Sequence, residues 1–235
     1  PSQNKLLTVR LIDVDKNGIK DSVVHFVIAS GGGSLNFNSD STDVQGNASV
    51  TFTTPVIVGN SSVRAYLTSL TTDTAKFTIV TRQSSLAYYT IIPSTVSDTA
   101  GATMTATVRA FDIFNNQLND DTTHTRIDLI GSVTGLNGSR VSASPVLGQL
   151  TSGQLIVTVH DSVKENLQIR VTSLFDATKS AVTGLIAIRS AFPRLARFFP
   201  DSLTNVQSGQ LGSTLIDSSS IIIKDQYGNA VNDTV

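Results

Sequence analysis

The 235-residue chain has no cysteine, no tryptophan and one methionine, and only 15 % of it is charged. Without cysteine there is no disulfide scaffold, no thiolate metal site and no thiol nucleophile. Aromatics amount to 6 %, which argues against a stacking platform for sugars, where tryptophan serves best. Seventeen basic residues face 18 acidic ones, so a broad nucleic-acid or anionic-membrane surface is not expected. Arg194, Arg197 and Lys224 are too sparse for a basic stripe. No apolar run approaches the ~18 residues of a membrane span, and no signal peptide is evident.

What the chain does have is serine and threonine, 29 of each, and 40 % hydrophobic residues. That is enough apolar material for packed cores and too little charge for a disordered chain. The apolar residues alternate with period two, as half-buried strands do. Leu7, Val9 and Leu11 alternate with polar neighbours, as do Val50 and Phe52, and Val63, Ala65 and Leu67. Met104 to Ala110, Leu155 to Val159 and Leu167 to Val171 do the same. Ser30-Gly31-Gly32-Gly33-Ser34, Val58-Gly59-Asn60 and Gly131-Ser132 mark turns between runs. No segment carries helical spacing with caps. The expectation is an all-β protein with Ser and Thr on the outward positions of its strands.

Self-comparison adds domain organisation. Val9-Arg10-Leu11-Ile12-Asp13 aligns with Val108-Arg109-Ala110-Phe111-Asp112. Asp13, Asn17, Ile19 and Asp21 fall on Asp112, Asn116, Leu118 and Asp120, and a third copy stands at Asp225, Asn229, Val231 and Asp233. Asp and Asn suit such a turn because their side chains bond nearby backbone and tolerate left-handed conformations. Leu86-Ala87-Tyr88-Tyr89 before Pro93 resembles Leu195-Ala196-Arg197-Phe198 before Pro200, each after a short polar joint. These correspondences divide the chain into a first repeat, 1–82, a second, 83–189, and the start of a third, 190–235. Units of about 100 residues with seven or so short strands match an immunoglobulin-like sandwich.

Residues 42–54, Thr-Asp-Val-Gln-Gly-Asn-Ala-Ser-Val-Thr-Phe-Thr-Thr, with the upstream Val-x-Leu-x-Asp strand and turn, carry a resemblance. They resemble the bacterial immunoglobulin-like repeats of the invasin and intimin type, best over residues 5–80. In those repeats a Thr-Asp-x-x-Gly-x-Ala hairpin precedes an alternating strand. The second repeat keeps the glycine in Thr151-Ser152-Gly153-Gln154-Leu155 but lacks the Thr-Asp pair and the alanine. The resemblance implies tandem immunoglobulin-like β-sandwiches in an extracellular stalk or in a spacer of a large surface or secreted protein. The implied partners are neighbouring domains of the same chain, other copies of itself, or a cell-surface ligand. The first repeat lacks the segment matching Leu86 to Pro93, and the third stops early, as expected for a piece of a longer array. Strands at one end completing the next subunit, in a head-to-tail surface filament or layer, are the sharper alternative.

No catalytic, cofactor-binding or metal-binding residue is assigned. Asp13-Val14-Asp15-Lys16-Asn17-Gly18 has the early spacing of a calcium loop, with Asp21 following. Val24 stands where the bidentate Glu belongs, and Asp15 gives way to Phe114 and Tyr227 in the other copies. Recurrence of Asp13, Asn17 and Asp21 alone favours a structural turn. His25 and His124 occupy one repeat position, on the strand face opposite Phe26 and Ile28, and His160 stands apart. Too few ligands accompany them for zinc, and nothing positions a catalytic base. Tyr88-Tyr89 is the one adjacent aromatic pair, with rings on opposite faces of a strand. That leaves a carbohydrate- or protein-binding accessory module as a secondary alternative. Four sequons, at Asn47, Asn60, Asn137 and Asn232, match what this Ser/Thr content produces by chance.

Overall fold

The structure, a computed structural model, describes residues 1–131, 140–199 and 220–231. Ser132, Pro200, Asp233 and the sequons at Asn137 and Asn232 lie outside the described residues. The described residues form strands and turns with no helix, so none is long and apolar enough to cross a membrane. The chain divides into two compact units: Pro1–Ala87 with Phe111–Leu118, and Tyr88–Ala110 with Asn119–Val235.

In the first unit the strands are β1 (Asn4–Arg10), β2 (Val23–Ser30), β3 (Ser34–Leu35), β4 (Ser39–Ser41), β5 (Asn47–Thr53), β6 (Gly59–Leu67) and β7 (Leu70–Thr81). One sheet runs β1-β5-β3 and the other β4-β2-β6-β7. Their pairings are antiparallel, with Leu7 opposite Val50 and Phe26 opposite Ala65. The alternation of β5 converts directly into burial: Ala48, Val50 and Phe52 are enclosed and their neighbours half-exposed. These three and Leu7 from one sheet meet Val24, Phe26, Val63 and Ala65 from the other. Burying a large aliphatic or aromatic side chain contributes about 1.5–3 kcal/mol. This shared layer therefore joins the sheets where antibody domains add a disulfide.

The second unit contains β8 (Tyr88–Pro93), β9 (Ser97–Thr99), β10 (Thr103–Phe111), β11 (His124–Ile130), β12 (Val141–Ser144), β13 (Leu147–Gln149), β14 (Gln154–Asp161), β15 (Asn166–Ser173), β16 (Ser180–Val182) and β17 (Ile186–Arg189). One sheet is β12-β14-β10-β8, the other β13-β11-β15-β17-β9, with β16 also on β15. Met104, Ala106 and Val108 of β10, Val157 and Val159 of β14, and Leu167, Ile169 and Val171 of β15 are buried. A separate pair, β18 (Pro193–Phe199) and β19 (Ser220–Asp225), is antiparallel.

Serine and threonine do not all point outward as expected. Thr42, Ser61, Thr125 and Thr183 are buried, and each has a backbone partner that makes burial tolerable. Thr125 Oγ1 donates to the Gly148 carbonyl and Ser61 Oγ to that of Gly32, while Thr42 and Thr183 accept from the Ser22 and Ile169 N–H groups.

Candidate functional site

Among the described residues the recurring aspartate turn is one structure built four times. In Asp13–Asn17, Asp43–Asn47, Asp112–Asn116 and Asp225–Asn229, the Asp N–H donates to the Asn carbonyl. The fourth residue's N–H donates back to the Asp carbonyl, at 2.9–3.2 Å across the four turns. This is a three-residue hairpin loop, a type I turn closed by a left-handed residue. The left-handed residues are Lys16, Gly46, Asn115 and Gly228, with φ of 68°, 81°, 66° and 84°. In every copy the Asp Oδ1 accepts the N–H groups two and four residues on, and the Asn side-chain amide donates to the same carboxylate. The Asp43 copy carries the same Asp-x-x-x-Asn spacing in sequence, inside the hairpin of Thr42, Asp43 and Gly46.

Thr42, Asp43 and Gly46 have local reasons. Thr42 exchanges backbone hydrogen bonds with the 21–22 segment, and its hydroxyl caps the Ser22 N–H at 2.9 Å. The Gly46 carbonyl accepts the Leu11 N–H at 2.7 Å, and a Cβ on Gly46 would overlap the Leu11 carbonyl and crowd Gly18. The Asp13 and Asp43 turns thus lie against each other at one end of the sandwich. In the second unit Thr151-Ser152-Gly153-Gln154 closes by two mutual backbone bonds, with φ of 52° and 68° at the centre. A two-residue loop of that hand needs no Asp brace, which accounts for the missing Thr-Asp pair.

Two of the four turns do more. In the first unit Asp112, fully buried, accepts the Ser84 N–H on Oδ2 at 3.0 Å. Asn116 donates from Nδ2 to the Val56 carbonyl at 2.9 Å, while its Oδ1 accepts the Val58 N–H at 3.2 Å. In the second unit the pattern repeats. Asp225 Oδ2 accepts the Ala191 N–H at 2.9 Å. Asn229 donates to the Ser162 carbonyl at 2.9 Å and accepts the Lys164 N–H at 3.0 Å. Each asparagine amide therefore imitates a backbone strand, clasping a carbonyl and an N–H two residues apart. Arg140 and Lys164 side chains add bonds to the Tyr227 and Ala230 carbonyls, and the Tyr227 ring lies against Gly101.

The carboxylates respond to these settings. The Asn17 N–H and side-chain amide hold Asp13 below the usual carboxylate range, and those of Asn47 do so for Asp43. Burial alone pushes Asp112 and Asp225 up, but converging donors, from Ser84 and Asn116 and from Asn229 and Ala191, bring both below it. Asp161 goes the other way: burial, then the negative Glu165 beside it, pushes it up to about 6. It sits at the inward position after Val157 and Val159.

The calcium-loop residues behave as turn residues. Both Asp13 oxygens accept hydrogen bonds inside the turn, Asp15 contributes its N–H, and Asp21 adopts a left-handed φ of 59° beside Lys20. Among the described residues no three His, Asp, Glu or Cys side chains cluster as metal ligands do. His25 stacks on Tyr66, and exposed His124 meets Phe175 edge-on. Tyr89 is buried and Tyr88 half-buried.

No family model matches the sequence, and no curated protein does. Solved structures do match. FdeC, an Escherichia coli adhesin, superposes with a TM-score of 0.54 at 14 % identity, covering 98 % of this chain and 71 % of that one. InvD of Yersinia pseudotuberculosis gives 0.52 at 17 % identity, covering 98 % and 68 %. The D0–D1 domain of intimin gives 0.36 at 15 %, covering 79 % and 90 %. The chain shares the all-β immunoglobulin-like fold of FdeC and InvD.

Proposed function

We propose that the chain is a non-catalytic spacer in an extracellular bacterial surface protein, an adhesin-like stalk of immunoglobulin-like domains in tandem. Its repeats would be 1–82, 83–189 and the start of another at 190–235. The observation that carries this reading is the twice-built clasp. Asn116 and Asn229 each fasten a turn onto backbone 58–67 residues earlier, and Asp112 and Asp225 fasten the intervening segment. A chain fastened at each recurrence resists being paid out under tension, which is what a spacer needs. Asp13, Asp112 and Asp225 are each engaged in their own turn, so the sequence's most regular polar feature serves architecture. The likeness in fold to an adhesin supports the setting and adds nothing about a ligand.

Single-molecule stretching tests this. A spacer gives a sawtooth whose main increments are about 33–36 nm, the extended length of about 100 residues at ~3.3–3.6 Å each. A featureless extension at low force refutes it.

A further inference from the structure

The four turns share their internal hydrogen bonds but differ in what lies outside them. Asp112 and Asp225 each take a further backbone N–H, and Asn116 and Asn229 each clasp a carbonyl and an N–H two residues apart. The Asp43 turn is occupied on its own terms, with Gly46 accepting the Leu11 N–H and the Gln45 carbonyl receiving Arg10 Nε. Among the described residues the Asn47 side chain, like that of Asn17, bonds only to the aspartate of its own turn. Of the three turns at the repeat position, Asp13, Asp112 and Asp225, the Asp13 turn is the one with an empty clasp. Asp13, Asp15 and Asn17 are all exposed.

Its backbone is nonetheless set as in the two occupied copies. The same two hydrogen bonds close the loop, and Lys16 takes the left-handed φ of 68° that Asn115 and Gly228 take at 66° and 84°. An antiparallel bridge flanks each, Ile12 to Gly18, Phe111 to Gln117 and Lys224 to Ala230. The clasp geometry is therefore preformed, and little ordering would be lost on filling it.

We infer that the Asp13–Asn17 turn is a docking site for an immunoglobulin-like module of this chain's own kind, joined ahead of it in the polypeptide. The docked loop presents a carbonyl and an N–H two residues apart, as Val56 and Val58 do and as Ser162 and Lys164 do. Asn17 takes both groups, and the second oxygen of Asp13 takes an N–H from the connecting segment. One feature differs. Asp15 stands where Phe114 and Tyr227 stand, and Tyr227 lies on Gly101. The docked surface therefore meets an acid at this corner and favours a polar or basic residue opposite it. The inference rests on the tandem-domain reading, and its test separates the two.

The probe is a chain in which a copy of residues 1–99 is joined directly ahead of Pro1 of the full chain. This sets a copy of Ser84 28 residues before Asp13, its separation from Asp112. It sets a copy of Val56 60 residues before Asn17, its separation from Asn116. Side-chain amide exchange is read by NMR for Asn17 and Asn116 in both chains. Asn116 should be protected in both chains, and Asn17 should slow by about tenfold or more only in the extended one. Asn17→Ala should then lower the unfolding midpoint more in the extended chain than in the original. Protected Asn116 with unchanged Asn17 exchange, or an equal effect of Asn17→Ala in both chains, overturns the docking site alone. Unprotected Asn116 in the original chain overturns the clasp and, with it, the spacer reading.

Discussion

Replacing Asp112 by alanine should be among the most damaging single changes on any polar residue of the first unit. The carboxylate is fully buried and accepts the N–H groups of Ser84, Phe114 and Asn116 and the Asn116 side-chain amide. A hydrogen bond to a charged acceptor contributes about 1.5–3 kcal/mol, and a donor left unsatisfied in the interior costs about 1–3 kcal/mol. The losses overlap, since water re-solvates the Phe114 N–H at the rim and one collapse removes several bonds together. About 3–5 kcal/mol is the expected net loss. Asp112→Asn is the informative control: all four partners are donors, so an amide retains one acceptor oxygen and sets an NH2 against the rest. It should recover less than half of the loss. Two units make a single unfolding midpoint ambiguous. Hydrogen exchange by mass spectrometry, followed in peptides covering Ser84 and β5 under increasing urea, isolates the first unit. Asp13→Ala removes the same internal turn bonds from an exposed site and should shift the curve much less. A loss below about 1 kcal/mol for Asp112→Ala, or full recovery by asparagine, refutes the reasoning.

The remaining expectations concern packing, backbone and pH. Phe52→Ala empties the centre of the first core, where Phe52 is fully buried, and should cost about 3–5 kcal/mol by urea titration. Gly46→Ala and Gly228→Ala meet nearly the same φ, 81° and 84°. Only the first also drives its methyl into the Leu11 carbonyl, whereas Gly228 opens onto free space. Gly228→Ala should therefore cost about 1 kcal/mol and Gly46→Ala clearly more, in paired melting curves. For pH, Asp161 rises from 3.8 unfolded to about 6 folded, so the folded state favours its protonated form. The stability of the second unit should fall as pH rises from about 4 to 6, by at most about 3 kcal/mol. Asp161→Asn should abolish that fall. Asp225, held low, acts oppositely: its contribution is present above 3.8 and lost as pH drops through its lowered folded value.

The fold was legible where burial follows a rule of alternation. β5, β10 and β15 each place every second residue inside, and that period survives in sequence because one face of each strand is dry. The Asp-x-x-x-Asn spacing was legible too, because a carboxylate and an amide are named in the letters. Their partners were not. Ser84, Ala191, Val56, Val58, Ser162 and Lys164 offer only backbone N–H and carbonyl groups, and every residue except proline has both. A clasp on backbone leaves no compositional trace at its far end, 28 to 67 residues away. Asp161 was readable in principle, since it continues the inward series Val157, Val159 on β14. An acid on that face stands out only when alternation is followed past its last aliphatic residue.

The recurring turn also bears on why one motif serves both exposed and buried places. A turn that needs Asp and Asn for its own closure already carries a carboxylate with a second oxygen and an amide with a free edge. Burial against a backbone loop then demands no new residue, only a carbonyl and an N–H at the right separation. The cost of burying a charge, several kcal/mol when unpaired, is offset beforehand by the turn's own N–H groups. That is why Asp112 and Asp225 remain below the usual carboxylate range despite burial, while Asp161, raised first by burial and then by the acid beside it, does not.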